Sequence, residues 1–330
     1  MVPNLKPRSP DALLRIVEQV KEYYDEPPAT KRPRGHPRTF PGQAFLLLAV
    51  VAVALRTFKP QELQTLLAKD AGLRQALGFV RVPHRRTIER RLGATLPEAE
   101  AQVQTLGHQI LAKVEPGPDE PQASAIDGRM YQAQGPRWHA RDRKQGRVPP
   151  SLRNVDIESA WSKSGYRGWV QGYRLVLQGL VFPAPVPLFA RWCPNSVGES
   201  TVLEQALGAE HLPVTDLLLG DSTFGGADLV AAYAQHGGWL LTPQQLPANP
   251  DSWQRALYAY RRETIELLFQ RLIQACDLKT CPTKGLARTG IFVLASVWLY
   301  QVLFLDNHRH HRPATHIKDI IDEARWRIAA

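Results

Sequence analysis

Two short apolar stretches run directly into an acidic side chain: Ala123-Ser124-Ala125-Ile126-Asp127 and Asp216-Leu217-Leu218-Leu219-Gly220-Asp221. Stretches of this length and composition read as buried strands. The surrounding pattern agrees. Residues 169–181 read as one long strand or hairpin arm, 187–193 as another strand, and 238–242 as a further short one. Helical segments at 200–207 and 226–236 alternate with them. Strands first in succession and then alternating with helices predict an α/β fold built on a mixed sheet. In open sheets of this kind the strand ends line the functional crevice. A carboxylate there is costly unless it is paired, hydrogen-bonded or bound to a metal. Two carboxylates on neighbouring strands repel each other, and a divalent cation removes the repulsion. Hard cations such as Mg²⁺ take oxygen ligands, a few from protein and the rest from water and phosphate.

A third acid is expected from a helix packed on the sheet. The segment 254–276 reads as helix, and Arg262-Glu263-Thr264-Ile265-Glu266 within it offers two candidates. Helical spacing places Arg262, Glu266, Phe269 and Ile273 on one face, with Arg262 one turn before Glu266. Spacing alone leaves Glu263 open beside Glu266.

The first 114 residues read as helical. A segment opens at Asp11, a twelve-residue apolar run covers 44–55, and further helices begin at Pro60, Ala71 and Thr87. Glu115-Pro116-Gly117-Pro118-Asp119-Glu120-Pro121 reads as a linker. The expected division is a helical domain at 1–114, a linker at 115–123, an α/β domain carrying the acids at 124–305 and a basic tail at 306–330. The apolar runs at 44–55 and 291–305 are shorter than the roughly 20 residues a bilayer requires. They therefore read as buried helices, with no membrane partner. Three cysteines form no disulfide framework. With no apolar leader at the N-terminus, a cytoplasmic, nucleoid-associated protein is expected.

A net charge of +10 predicts a polyanionic partner. Candidate DNA contacts fall in four places. Arg32, Arg34 and Arg38 lie in a proline-held arm. Arg85, Arg86, Arg90 and Arg91 make one short basic helix. Arg137, Arg141, Arg143 and Lys144 lie in the arginine-rich stretch after the first acid. Arg262 and Arg271 flank Glu266. Trp138, Trp161 and Trp169 are candidates for stacking on bases, with Trp169 expected in the core.

The order of these features resembles the DDE-type transposases of bacterial insertion sequences. The likeness rests on Ala125-Ile126-Asp127-Gly128, on Trp161-Ser162 followed by Gly168-Trp169-Val170-Gln171-Gly172-Tyr173-Arg174-Leu175, and on Leu218-Leu219-Gly220-Asp221-Ser222. It rests also on Arg262-Glu263-Thr264-Ile265-Glu266-Leu267-Leu268-Phe269-Gln270-Arg271-Leu272. The helical stretch 63–92 is similar to the DNA-binding region of such enzymes. The resemblance implies an RNase H-like mixed sheet flanked by helices, preceded by an all-helical N-terminal domain. It selects Glu266 over Glu263. It implies that Asp127, Asp221 and Glu266 are catalytic and metal-ligating, with Asp127 shared between two Mg²⁺ or Mn²⁺ ions. The implied activity is cleavage at element ends followed by strand transfer into target DNA, by a homodimer on double-stranded DNA. Two departures stand out. The family's lysine seven residues after the glutamate is Ile273 here, and Ser222-Thr223-Phe224-Gly225 replaces a Lys-Gly-Tyr-like turn after the second aspartate. They speak for one alternative, a catalytically silent DNA-binding relative; the other is an RNase H-like nuclease that only hydrolyses, since hydrolysis and strand transfer use the same carboxylates.

Overall fold

The computed structural model describes residues 11–26, 39–117, 121–148, 150, 152, 154–165, 167–182, 184–314 and 316–325. Six helices come first: α1 (Ala12–Glu22), α2 (Gly42–Leu55), α3 (Pro60–Lys69), α4 (Ala71–Ala76), α5 (Arg85–Ala94) and α6 (Leu96–Lys113). Local chemistry sets their ends. Pro60 starts α3, where a missing N–H costs nothing. The Asp70 carboxylate accepts from Leu73 N at 2.8 Å and caps α4. As its unbroken apolar run predicts, α2 is buried on every side, from Ala44 to Ala54.

The sheet follows: β1 (Ala123–Gln132), then the short α7 (Ala140–Lys144), β2 (Ala160–Ser164), β3 (Gly168–Leu180) and β4 (Val186–Pro194). After them come α8 (Glu199–Gly208), β5 (Leu217–Leu219), α9 (Ala227–Gln235) and β6 (Trp239–Leu241). β1 runs antiparallel to β3, whose other edge carries β4 over Tyr173–Leu180 and β2 over Gly168–Gly172. β5 is parallel to β1, and β6 is parallel to β5. Across β4, β3, β1, β5 and β6, three antiparallel strands join two parallel ones. This is the RNase H-like mixed sheet that the resemblance implies. β1 is longer than the five-residue strand expected, because beyond Asp127 it continues as the partner of β3.

Three helices close the chain: α10 (Ser252–Cys276), α11 (Leu286–Arg309) and α12 (Ile317–Arg325). Asp251 and Gln254 form a reciprocal capping box at the start of α10. Strand alternation sorts the sheet residues between two apolar layers. Ile126, Val176, Phe189 and Leu218 pack under α8 and α9. Ala125, Leu175, Leu177 and Leu188 face a larger core that is continuous with α1–α6 and α10–α12. Within it α6 presses so closely on β4 that a Cβ at Gly107 would overlap the Leu188 carbonyl. By length and composition α11 could cross a bilayer, but its whole apolar window is buried in the protein. Gln301, which interrupts that window, is buried and donates to the carbonyls of Val103 at 3.0 Å and Pro187 at 3.1 Å.

The expected C-terminal tail is corrected. Residues 306–309 finish α11, and α12 buries Ile317, Ile321 and Ala324 at helical spacing against α1, α2 and α10. Its charged outer face masks this stripe in a composition-based reading. Trp169 is a second correction, being 65% exposed on β3 instead of lying in the core.

Candidate metal centre

Register places the two aspartates side by side. The parallel pairing of β1 with β5 ends at Ala125 opposite Leu219, and Asp127 and Asp221 each lie two residues beyond that pair. Beyond it β5 stops, and Asp221 caps a one-turn helix, accepting from Thr223 N at 2.8 Å. Asp127 accepts from Gly128 N at 2.7 Å.

A third carboxylate joins them from the opposite layer. Glu199 opens α8, and Asp127, Glu199 and Asp221 offer oxygens that all lie within 4.8 Å of one another. Glu199 is only 9% exposed. Its approach requires a bare backbone at the next position of β1: a Cβ on Gly128 would lie 2.4 Å from Glu199 Oε1. Its partner is Arg174 of β3, with Nε to Oε1 at 3.3 Å between two nearly buried side chains. Arg174 also donates to the Val197 carbonyl at 3.0 Å, fixing the turn that leads into α8.

The cluster is electrostatically strained in the direction a cation relieves. Burial pushes the Glu199 carboxyl up to about 7, Arg174 opposes the shift, and the charges of Asp127 and Asp221 add to it. Asp127 is also raised, chiefly by burial, against the Gly128 N–H and Arg261, with Asp221 and Glu266 raising it further. Three closely spaced carboxylate oxygens, with burial disfavouring the charged forms of Asp127 and Glu199, suit a hard divalent cation.

α10 lies across this centre. Tyr258 donates from its hydroxyl to the Gly220 carbonyl at 3.2 Å, and Arg261 reaches Asp127 Oδ2 at 3.5 Å while lying over the Tyr258 ring. Glu266 is on the same helix but outside the cluster. It is exposed and holds Arg262, Nε to Oε1, at 2.8 Å. Its charge nevertheless contributes to the shift at Asp127. Glu263 is also exposed.

The sequence reading identified Asp127 and Asp221 but missed Glu199, Arg174 and Arg261. An acid opening a helix directly after Gly198 was the available signal, and helix-capping chemistry explains such an acid equally well. The expected DNA contacts divide. Arg85, Arg86, Arg90, Arg137, Arg141, Lys144 and Arg262 are exposed. Arg91 folds over Phe45, Arg143 over Trp138, and Arg271 donates to the Tyr300 hydroxyl at 2.8 Å. Arg32, Arg34 and Arg38 lie outside the described residues. Trp138 is buried, with its indole N–H on the Arg147 carbonyl, and Trp161 donates in turn to the Trp138 carbonyl.

Gly128 gives a direct test of the cluster. In Gly128→Ala the new methyl displaces the flexible end of Glu199 and leaves the strand in place. Mn²⁺ affinity, measured by calorimetry, should fall about 10- to 100-fold with the melting temperature nearly unchanged. Unaltered Mn²⁺ affinity would remove Glu199 from the centre.

No family model and no curated protein matches the chain. Among solved structures it is similar to a piggyBac transposase synaptic complex with hairpin DNA, with a TM-score of 0.41 and 11% identity over 97% of this chain and 81% of that one. It is also similar to a Mos1 strand transfer complex, with a TM-score of 0.22 and 11% identity over 83% of this chain and 80% of that one. A Mos1 mariner paired end complex with Mn gives 0.23 and 11%, over 90% and 88%. The carboxylates, and not these likenesses, carry the functional reading.

Proposed function

We propose that the chain is a metal-dependent transposase that cleaves double-stranded DNA at the ends of an insertion sequence and joins those ends to target DNA. The observation that carries the reading is the gathering of Asp127, Asp221 and Glu199 just beyond the point where the pairing of β1 with β5 ends. Asp127 and Asp221, with Glu199 and with Glu266 from α10, would hold two Mg²⁺ or Mn²⁺ ions. Such ions lower the pKa of a bound water and stabilise the charge on the leaving oxygen.

The chain's own residues do the rest. Asp127 and Asp221 are held by Gly128 N and Thr223 N and offer oxygens within 4.8 Å of each other. Arg174 holds Glu199 in place and keeps its burial tolerable. Arg262, one turn before Glu266 on an exposed face, is placed for a DNA phosphate. Exposed arginines on α5 and α7 extend the basic surface that a duplex requires. A homodimer on DNA fits a reaction that joins two ends, and cytoplasmic, nucleoid-associated placement follows from the same reading.

The test is to incubate the protein with DNA carrying its gene and native flanks in Mg²⁺ or Mn²⁺, mapping breaks and joints at nucleotide resolution. Wild type should cut at fixed ends and join them. Glu199→Ala and Glu266→Ala should each lose cutting, while Glu263→Ala keeps it. Cutting that is lost in Glu263→Ala and kept in Glu266→Ala would move the helix-borne acid by one turn. Cutting without joining would make the protein a nuclease. Binding without breaks in either metal would make it a silent DNA-binding protein.

A further inference from the structure

The surplus cations on the sheet do not all surround the acids. β2 and β3 form a hairpin that projects from the sheet, closed by Ser164 Oγ accepting from Arg167 N at 3.1 Å and by Gly168 at a φ of 72°. Lys163 on β2 stands opposite Trp169 on β3. Lys163, Arg167 and Trp169 are all exposed. Arg137, from the loop after β1, lines the same crevice as Trp169. Among the described residues, Lys163, Arg167 and Arg137 form no ion pair. Leaving Trp169 65% exposed forfeits much of the burial that normally justifies a tryptophan.

Direction links this tip to the acids. Trp169, Gln171, Tyr173, Leu175 and Leu177 alternate onto one face of β3, and Leu177 stands opposite Asp127. Trp169 and Asp127 therefore share a sheet face. Trp169 and Leu177 lie eight residue steps apart along the strand, about 26 Å at the usual rise, which corresponds to about 8 base pairs of B-form DNA. The interval is not empty. Arg129, two residues past Asp127 on that face, lies over the Tyr131 ring at 5.8 Å. The charges of both Arg129 and Arg167 are felt at the Tyr131 hydroxyl. Tyr173, Leu175 and Leu177 between the two points are buried under the helices, so Asp127 and Trp169 stand at the two open ends of this face, with Arg129 beside the first and Arg167 beside the second.

We propose that the β2–β3 hairpin is a DNA-binding finger that grips duplex about 8 base pairs from the phosphate held at Asp127. Lys163 and Arg167 meet phosphates on either side of a groove, Arg137 supports them, and the Trp169 ring lies against sugar and base edges between them. The finger rests on the proposed DNA-processing function and adds to it a second contact that sets the register of the duplex.

The experiment measures fluorescence anisotropy of labelled duplex from the gene's native flanks, without divalent metal. Wild type, Trp169→Ala, Trp169→Phe, Lys163→Glu/Arg167→Glu and, as an exposed tryptophan elsewhere, Trp239→Ala are compared. Stacking of this kind supports a loss of about 10-fold for Trp169→Ala, with Trp169→Phe restoring most of it and Trp239→Ala matching wild type. The double charge reversal should lower the slope of log affinity against log salt by about 2. Hydroxyl-radical footprints should lose one protected patch about 8 base pairs from the cleavage point and keep the rest. Wild-type binding that Trp169→Ala and the double variant leave unchanged would overturn the finger alone. A wild type with no DNA affinity would overturn the proposed function and the finger together. A shift in sedimentation without a change in DNA affinity would make the hairpin a contact between copies of the chain, and the proposal would fall.

Discussion

Asp127→Asn should cut native-end DNA at least about 10³-fold more slowly than wild type under single-turnover conditions in Mn²⁺, and Asp221→Asn should do nearly the same. Asparagine keeps the size of the side chain, and its Oδ1 can still accept from Gly128 N, the contact that holds Asp127 at 2.7 Å. The charge is lost. Asp127 offers an oxygen within 4.8 Å of those of Asp221 and Glu199 and also meets Arg261 at 3.5 Å, so the loss removes one charge from the shared cation site. Loss of cutting here should not reflect unfolding. Burial already raises the Asp127 carboxyl, which means that its charge costs the folded, metal-free protein free energy. Asp127→Asn should therefore melt at the wild-type temperature or slightly above it in metal-free buffer. A protein that melts normally and binds DNA but does not cut assigns the loss to chemistry. Cutting within about tenfold of wild type would contradict a catalytic role for the aspartates and the metal reading with it.

The aspartates were legible because each follows directly on a short apolar run, and because parallel register carries those two runs to the same place. The sheet was legible for the same reason: runs such as 216–221 have few alternatives to a buried strand. Glu199 was not legible, since what brings it to the centre is the absent side chain of Gly128, a residue on another element, and the buried Arg174 on a third. Such a site is assembled by contacts among β1, β3 and α8 that no local spacing encodes. α12 escaped notice because only three residues carry its apolar stripe. Trp169 was misplaced because a tryptophan in an otherwise apolar strand ordinarily packs inside. The strand in fact outruns the core, and its first residues extend past the helices that would cover them.

Glu199→Gln should make the metal-free protein more stable at pH 8 by about 3 kcal/mol, while weakening its affinity for Mn²⁺. Glutamine stands in for the protonated acid. In the folded chain the Glu199 carboxyl is pushed from its ordinary value of 4.5 up to about 7. A carboxyl raised on folding favours the folded state while it holds its proton. That contribution is fully present below pH 4.5 and is lost as pH rises through about 7. Wild type and variant should therefore melt alike at pH 4.5 and diverge above it, reaching at pH 8 a difference of about 4 °C for a chain of this length. Arg174 does not reverse the sign. Its attraction for the charged glutamate opposes the shift, and the acid remains raised in spite of it. Added Mn²⁺ should then invert the order, stabilising wild type at pH 8 by mass action and the variant far less. A variant less stable than wild type in metal-free buffer at pH 8 would mean that the Arg174 pair outweighs the carboxylate repulsion, so that Glu199 braces the fold and does not wait for a cation.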